Sequence, residues 1–294
     1  MFSITERDRL RALLISSART DERITGIALT GSASTGTEDR WSDIDLAFGF
    51  AAGTELPAAI ADWTAVMYAD HGAVHHLDVV SGATTYRVFL LASTLQVDLA
   101  FAPEAEFGAT APTFRLLSGK AVPRPQVGPP DAAELIGLAW LYGLHARSSL
   151  ARGRVWQAEY MVSGVRDHVL ALACLRYGLP ARQGRGMDRL PAEVTGPLAG
   201  ALVRGLDAAE LERAFGVATR ALLTEIDLVD AALAARLSPA LRELAGATLR
   251  RLHGLPGVTG AEESGANWLV GLVLSRGLTA FAGRRRSDVT LRGI

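Results

Sequence analysis

The chain reads as an α+β protein: an N-terminal mixed β-sheet domain flanked by helices, followed by a C-terminal α-helical bundle. Three observations predict this. Up to about Ser118, helical and strand periodicities alternate. The segment Gly119–Pro130 is crowded with proline and glycine, which break both helix and strand. From Asp131 onward the apolar spacing is nearly all helical. The expected domains are residues 1–118 and 131–294, with 119–130 as a linker.

Taken in order, Thr5–Arg19 is a helix with Leu10, Leu13 and Leu14 on one side. Ile24–Thr30 and Asp43–Phe50 are short apolar β runs, and Glu55–Tyr68 is again helical. Val74–Val80, Thr85–Leu91 and Leu95–Phe101 follow closely enough to form a meander, so about five strands are expected. Asp131 and Glu134 have capping-box spacing and open a helix toward Arg152. Arg154–Tyr177 is a second helix, stopped by Gly178 and Pro180. Further helices are expected at Asp207–Leu237, Pro239–Leu252 and Gly265–Phe281. Short connections between long helices imply an antiparallel bundle.

Bulk properties exclude several classes. The 294 residues are 49% hydrophobic, ample for a packed core, and carry a net charge of −1. With a pI near 6.6 there is no global field for nucleic acid or an anionic membrane, so a nucleic-acid partner is not expected. Arg284, Arg285 and Arg286 form the one dense basic run and read as a solvated tail. A single cysteine, Cys174, excludes a disulfide framework and reads as a buried structural thiol. The charged N-terminus lacks the apolar core of a secretory signal, and no apolar run is long enough to span a bilayer. A soluble cytoplasmic protein is expected.

The most informative stretch is Leu29–Phe48. A Gly31-Ser32 pair is followed twelve residues later by Asp43-Ile44-Asp45 at the mouth of an apolar strand. Alternate strand residues share a side, so Asp43 and Asp45 project together while Ile44 faces the sheet. Two neighbouring carboxylates repel unless a cation lies between them, and a few oxygen ligands suit Mg²⁺, which also binds substrate phosphates. Asp98 lies in a further strand-like run, Thr94–Phe101. If that strand neighbours the first, three carboxylates can hold two Mg²⁺ ions for in-line displacement of pyrophosphate from a triphosphate. Glycine at Gly31 lets backbone N–H groups approach a phosphate, and the Ser32 hydroxyl adds a donor. A short helix after them would aim its N-terminus at the anion, with Arg40 nearby.

Other motifs fail. Gly31 and Gly36 have P-loop-like spacing, but Thr37 stands where lysine is required. Ser34 lacks the upstream glycine of a nucleophile elbow. His75 and His76 are adjacent on a strand, point to opposite faces and cannot share a metal.

Gly31-Ser32, Asp43-x-Asp45 and the later Asp98 resemble the motif of the DNA polymerase β-type nucleotidyltransferase superfamily. Within it, the chain resembles the aminoglycoside and lincosamide adenylyltransferases, and the run Thr37–Asp45 looks especially similar to the aminoglycoside 6-adenylyltransferase type. The motif match spans Ile24–Pro103, and the helical half matches in layout only. The resemblance implies an N-terminal nucleotidyltransferase domain, Mg²⁺ held by Asp43, Asp45 and Asp98, ATP or another nucleoside triphosphate as donor, and a small-molecule acceptor. A helical-domain glutamate serves as general base in aminoglycoside nucleotidyltransferases. Glu159 is the first candidate, sharing a helix face with Trp156, Ser163 and Arg166. Glu104, just past the Asp98 strand, is the second. Related enzymes place a helical-domain cation on the phosphates, a role open to Arg185 in the cluster Arg182, Arg185 and Arg189. A protein acceptor, or a binding protein that has lost catalysis, are the alternatives.

Overall fold

The computed structural model describes residues 1–251. These divide into two compact units, Met1–Val127 and the residues from Gly128 onward. The fold class is α+β. No described helix is long and apolar enough to cross a membrane.

The first unit runs α1 (Ile4–Thr20), β1 (Ile24–Thr30), α2 (Gly31–Thr35), β2 (Ile44–Phe50), α3 (Leu56–Asp70), β3 (Ala73–Ser81), β4 (Thr84–Leu91), β5 (Gln96–Pro103) and β6 (Phe114–Gly119). Ser3 and Glu6 form a full capping box at the start of α1, each side chain satisfying a backbone N–H of the other. The six strands form one sheet in the order β3-β4-β5-β2-β1-β6. Only β2 and β5 pair in parallel; every other neighbouring pair is antiparallel. The sheet thus has six strands rather than the expected five. The extra one, β6, is an irregular Phe-Arg-Leu-Leu-Ser-Gly run beside the breaker-rich tract. Its strand character comes from the open edge of β1, whose backbone it satisfies from Gly26 to Thr30. The tract expected as a linker folds back on this unit: Val122 N–H donates to the Phe107 carbonyl at 2.8 Å, and Val127 N–H to the Thr110 carbonyl at 2.8 Å.

The two faces of the sheet differ. On one, Leu46, Phe48, Phe50, Leu99 and Phe101 pack with Leu14 of α1 and with Trp63 and Met67 of α3. Phe48 and Trp63 stack with ring centroids 4.8 Å apart. On the other, the buried residues are Ala28, Ala47, Ala100 and Ala102, with Phe107 against them. Phe107 lies so close over Gly26 and Gly49 that a Cβ at either would collide with its ring.

The second unit is helical: α4 (Ala132–Ala151), α5 (Val155–Arg176), α6 (Ala192–Ala199), α7 (Ala208–Val229) and α8 (Ala231–Arg251). Asp131 caps α4 through Ala133 N–H at 3.0 Å, one residue earlier than capping-box spacing implies. Gly178, at φ +65°, ends α5: Gly178 N–H donates to Leu175 and Leu179 N–H to Cys174, the Schellman pattern. The expected break at Pro239 is not where the helices part. They part at Asp230, which is extended (φ −152°) and caps the next helix through Leu233 N–H at 2.9 Å. Pro239 lies inside α8. Cys174 is buried, as expected. The expected helix Gly265–Phe281 and the basic run Arg284–Arg286 lie outside the described residues.

Candidate active site

Register places the carboxylates. In the parallel pair, Asp45 is the direct partner of Asp98, so both side chains leave the same face of neighbouring strands. Asp43 precedes β2 by one residue and shares that face by the two-residue period. One carboxylate oxygen from each of the three lies within 4.8 Å of the others. Among the described residues, no other group of three His, Cys, Asp or Glu side chains converges in this way.

Small side chains leave room above the sheet. Asp45 is followed on its face by Ala47, and Asp98 by Ala100. Gly31 opens α2 at φ +58°, and a Cβ there would collide with the Asp45 carboxylate. Glycine is needed twice at this position, for its backbone and for the close approach. Gly31, one of the two phosphate-binding candidates, is thereby set directly against Asp45, and Ser32 follows it in α2. The N-cap of α2, Thr30, makes no side-chain capping bond.

The loop from α2 to β2 is pinned rather than loose. Asp39 accepts from Trp41 N–H at 2.8 Å and from the Ser42 hydroxyl at 3.1 Å, which makes a tight side-chain turn. Arg7 of α1, 3% exposed, donates to the Asp39 carbonyl at 2.5 Å and to the Ser42 carbonyl at 3.3 Å. Glu38 pairs with Arg7 at 3.6 Å and with Arg11. A buried guanidinium thus fixes the peptide preceding Asp43. Arg40 does not point at the carboxylates: its guanidinium lies 4.5 Å over the Trp41 ring.

Gln96, the first residue of β5, is a site residue the sequence reading missed. Its amide Nε2 donates to both Asp98 oxygens, at 2.9 and 3.1 Å, and reaches Asp43 at 3.4 Å. Its two-residue spacing from Asp98 on the strand was the available signal. Asp98 is 9% exposed. Burial pushes its carboxyl up to about 6; the Gln96 amide pulls it down and the Asp43 charge adds to the rise. A divalent cation would relieve that cost.

The donor set fits such an ion. Three carboxylates are hard oxygen ligands of the kind Mg²⁺ takes at about 2.1 Å. Oxygens across one such ion lie at most about 4.2 Å apart, so a spread within 4.8 Å closes with a shift under about 1 Å.

The remaining candidates stand elsewhere. Glu104 follows β5, six residues beyond Asp98, or about 20 Å of extended chain. Its carboxylate accepts from Ala52 N–H at 3.1 Å. Glu104 therefore serves a turn at the far end of the strand, which removes it as a candidate base. Glu159 and Arg185 belong to the second unit. Glu159 is half-buried on α5 and accepts the Ser163 hydroxyl at 2.8 Å. Arg185 is exposed on a turn whose Gln183 and Gly184 both have positive φ. His76 lies 2.9 Å from the Tyr68 hydroxyl and its ring packs on Phe89. Burial, and then the charge of Arg87, hold its imidazole below the usual range.

No family model matches the chain. No curated protein matches it. Among solved structures it is similar to an aminoglycoside 6-adenyltransferase from Bacillus subtilis, at 12% identity over 81% of this chain and 98% of that one, with a TM-score of 0.35. A likeness at that TM-score decides neither the fold nor the chemistry, which stand on the strand register and the carboxylates themselves.

Proposed function

We propose that the protein is a divalent-metal-dependent nucleotidyltransferase. In this reading it moves a nucleoside monophosphate, AMP from ATP, onto a hydroxyl of a small molecule. The observation that carries it is the register of Asp45 with Asp98, joined by Asp43 on the same face and by Gly31 against Asp45. Carboxylates so close, one of them nine-tenths buried, are costly without a cation and are suited to a metal-bound polyphosphate.

The residues divide the work. Asp43, Asp45 and Asp98 would hold Mg²⁺, which supplies charge to offset the developing negative charge on phosphate and acidifies the attacking hydroxyl. Gly31 leaves the backbone of α2 open to the phosphates, and Ser32 offers a hydroxyl beside it. Gln96 fixes the Asp98 carboxylate through its amide, a bond that metal ligation would have to share or replace. Arg7 keeps the peptide before Asp43 in place. Glu159 is the proposed acceptor of the hydroxyl proton on the sequence resemblance alone. Arg185 is proposed as a phosphate contact on its charge and exposure alone. The sequence resemblance suggests an aminoglycoside-like or other polar antibiotic as the acceptor.

Incubation with α-labelled ATP, Mg²⁺ and a panel of hydroxylated antibiotics tests this. Labelled small-molecule product with release of pyrophosphate is expected, and Asp45→Ala should abolish it. No product, together with no Mg²⁺-dependent ATP binding by calorimetry, removes the reading. Label on protein bands instead would transfer it to a protein acceptor.

A further inference from the structure

We propose that the sheet face over β3 and β4 seats the acceptor, and that this acceptor carries an apolar body beside its reactive hydroxyl. The inference rests on the nucleotidyltransferase reading and narrows its substrate.

Strand order sets the direction of attack. α2 packs on β1, β2 and β6, so Gly31 and Ser32 lie on one flank of the carboxylates. Asp98 forms the opposite flank, and beyond it come β4 and β3. In-line transfer requires the attacking oxygen and the departing pyrophosphate to lie on opposite sides of the α-phosphorus. With the β- and γ-phosphates toward α2, the hydroxyl arrives across Asp98. Its oxygen forms a new bond to the α-phosphorus. The bond from that phosphorus to the bridging oxygen breaks, and pyrophosphate leaves with the electron pair. The hydroxyl proton passes to the base.

The floor on that side is apolar. Val88 is the direct partner of Asp98, and Leu77 is the partner of Val88, so all three share one face. One row along, Leu90 stands between Gln96 and His75 on the same face. Strands lie about 4.8 Å apart, which puts Val88 and Leu77 about 5 and 10 Å from Asp98, within the span of one small molecule. Leu77 is 45% and Leu90 49% exposed. Together with Val88, His75 and Gln96 they line a shallow cavity of about 140 Å³, and no carboxylate lines it. Exposed leucines continuous with a catalytic cluster are a binding floor rather than scattered surface residues. A hydroxyl carried beside an aromatic or aliphatic group is matched by this floor. Gln96 joins the two parts, lining the cavity while its amide holds Asp98.

Two probes with the same sugar test this, 4-nitrophenyl β-glucopyranoside and methyl β-glucopyranoside. Wild type should adenylylate the nitrophenyl glycoside with kcat/KM at least about tenfold higher. Leu77→Gln and Leu90→Gln should erase that preference through KM while the Kd for ATP and Mg²⁺ stays constant. Equal kcat/KM for the two glycosides in wild type, or an undiminished preference in both variants, overturns the proposal. Saturation-transfer NMR reads the floor without turnover. If no acceptor is adenylylated at all, the reaction is wrong. Ring-proton transfer that is present in wild type and lost in both variants would then still support the floor, and its absence in wild type would sink it.

Discussion

The two faces of the sheet are built from the same strands and are used in opposite ways. On the helix-covered face, β2 and β5 present Leu46, Phe48, Phe50, Leu99 and Phe101, all but excluded from water. Two-residue alternation on those same strands presents Asp45, Ala47, Asp98 and Ala100 on the other. The first face contributes stability, since each fully buried large side chain is worth roughly 1.5–3 kcal/mol. The second surrenders part of it: small residues bury little area, and Asp98 is held where its charge is poorly solvated. Stability and chemistry are thus separated by one residue of pleat. On the proposed reading, substitutions on one side should remove activity and those on the other the fold, with limited crossover.

The sharpest break is Asp45→Ala. It should lower kcat by at least about 10³-fold while leaving the protein cooperatively folded. A large loss of stability would mean that the two faces are not separable. On the opposite side, Phe101→Ala should cost about 3–5 kcal/mol in denaturant unfolding, as core truncations of this size do. Residual folded protein should still bind Mg²⁺ and ATP with unchanged stoichiometry.

Asp98→Asn tests the cost of the site through pH. The folded carboxyl stands at about 6, above its ordinary 3.8. The stabilising protonated form is therefore fully present below the unfolded value, and its contribution is lost as pH rises through about 6. Asparagine stays neutral throughout. The metal-free variant should match wild type near pH 4 and exceed it by roughly 3 kcal/mol near pH 8. It should also lose the thermal shift that Mg²⁺ with ATP confers on wild type. Equal stability at pH 8 would count against a strained carboxylate.

The smallest effect concerns the turn from β4 to β5, just before Gln96. Thr94 there adopts φ +69°, a left-handed conformation that is costly for a β-branched residue. Thr94→Asn should stabilise the protein by about 1 kcal/mol in chemical denaturation, with activity unchanged. A fall in activity would tie the strain of this turn to the placement of Gln96.

Legibility in the sequence followed the range of the interactions. The strands carrying Asp45 and Asp98 were readable because apolar runs and alternation are local patterns. The break after β1 was readable because glycine and serine advertise it, although Gly31 and Ser32 open α2 rather than precede it. β6 was not, because its strand character is conferred by the open edge of β1 and not by its own irregular sequence. The parting of α7 and α8 was assigned to Pro239, yet Asp230 caps both ends and decides the point. Glu104 looked like a base from its proximity in sequence to Asp98, but extended chain carries it to the far end of the strand.

The amino-acid sequence by itself determined that Asp43 and Asp45 face together, because the two-residue period is a property of extended backbone. It also determined the α+β character, through hydrophobic spacing that any local window reveals. Only the tertiary structure decided that Asp98 stands beside Asp45, that Gln96 holds it, and that the buried Arg7 clamps the loop before Asp43. Those are pairings between distant segments, and their register is settled when the two strands bury their phenylalanines against the same pair of helices.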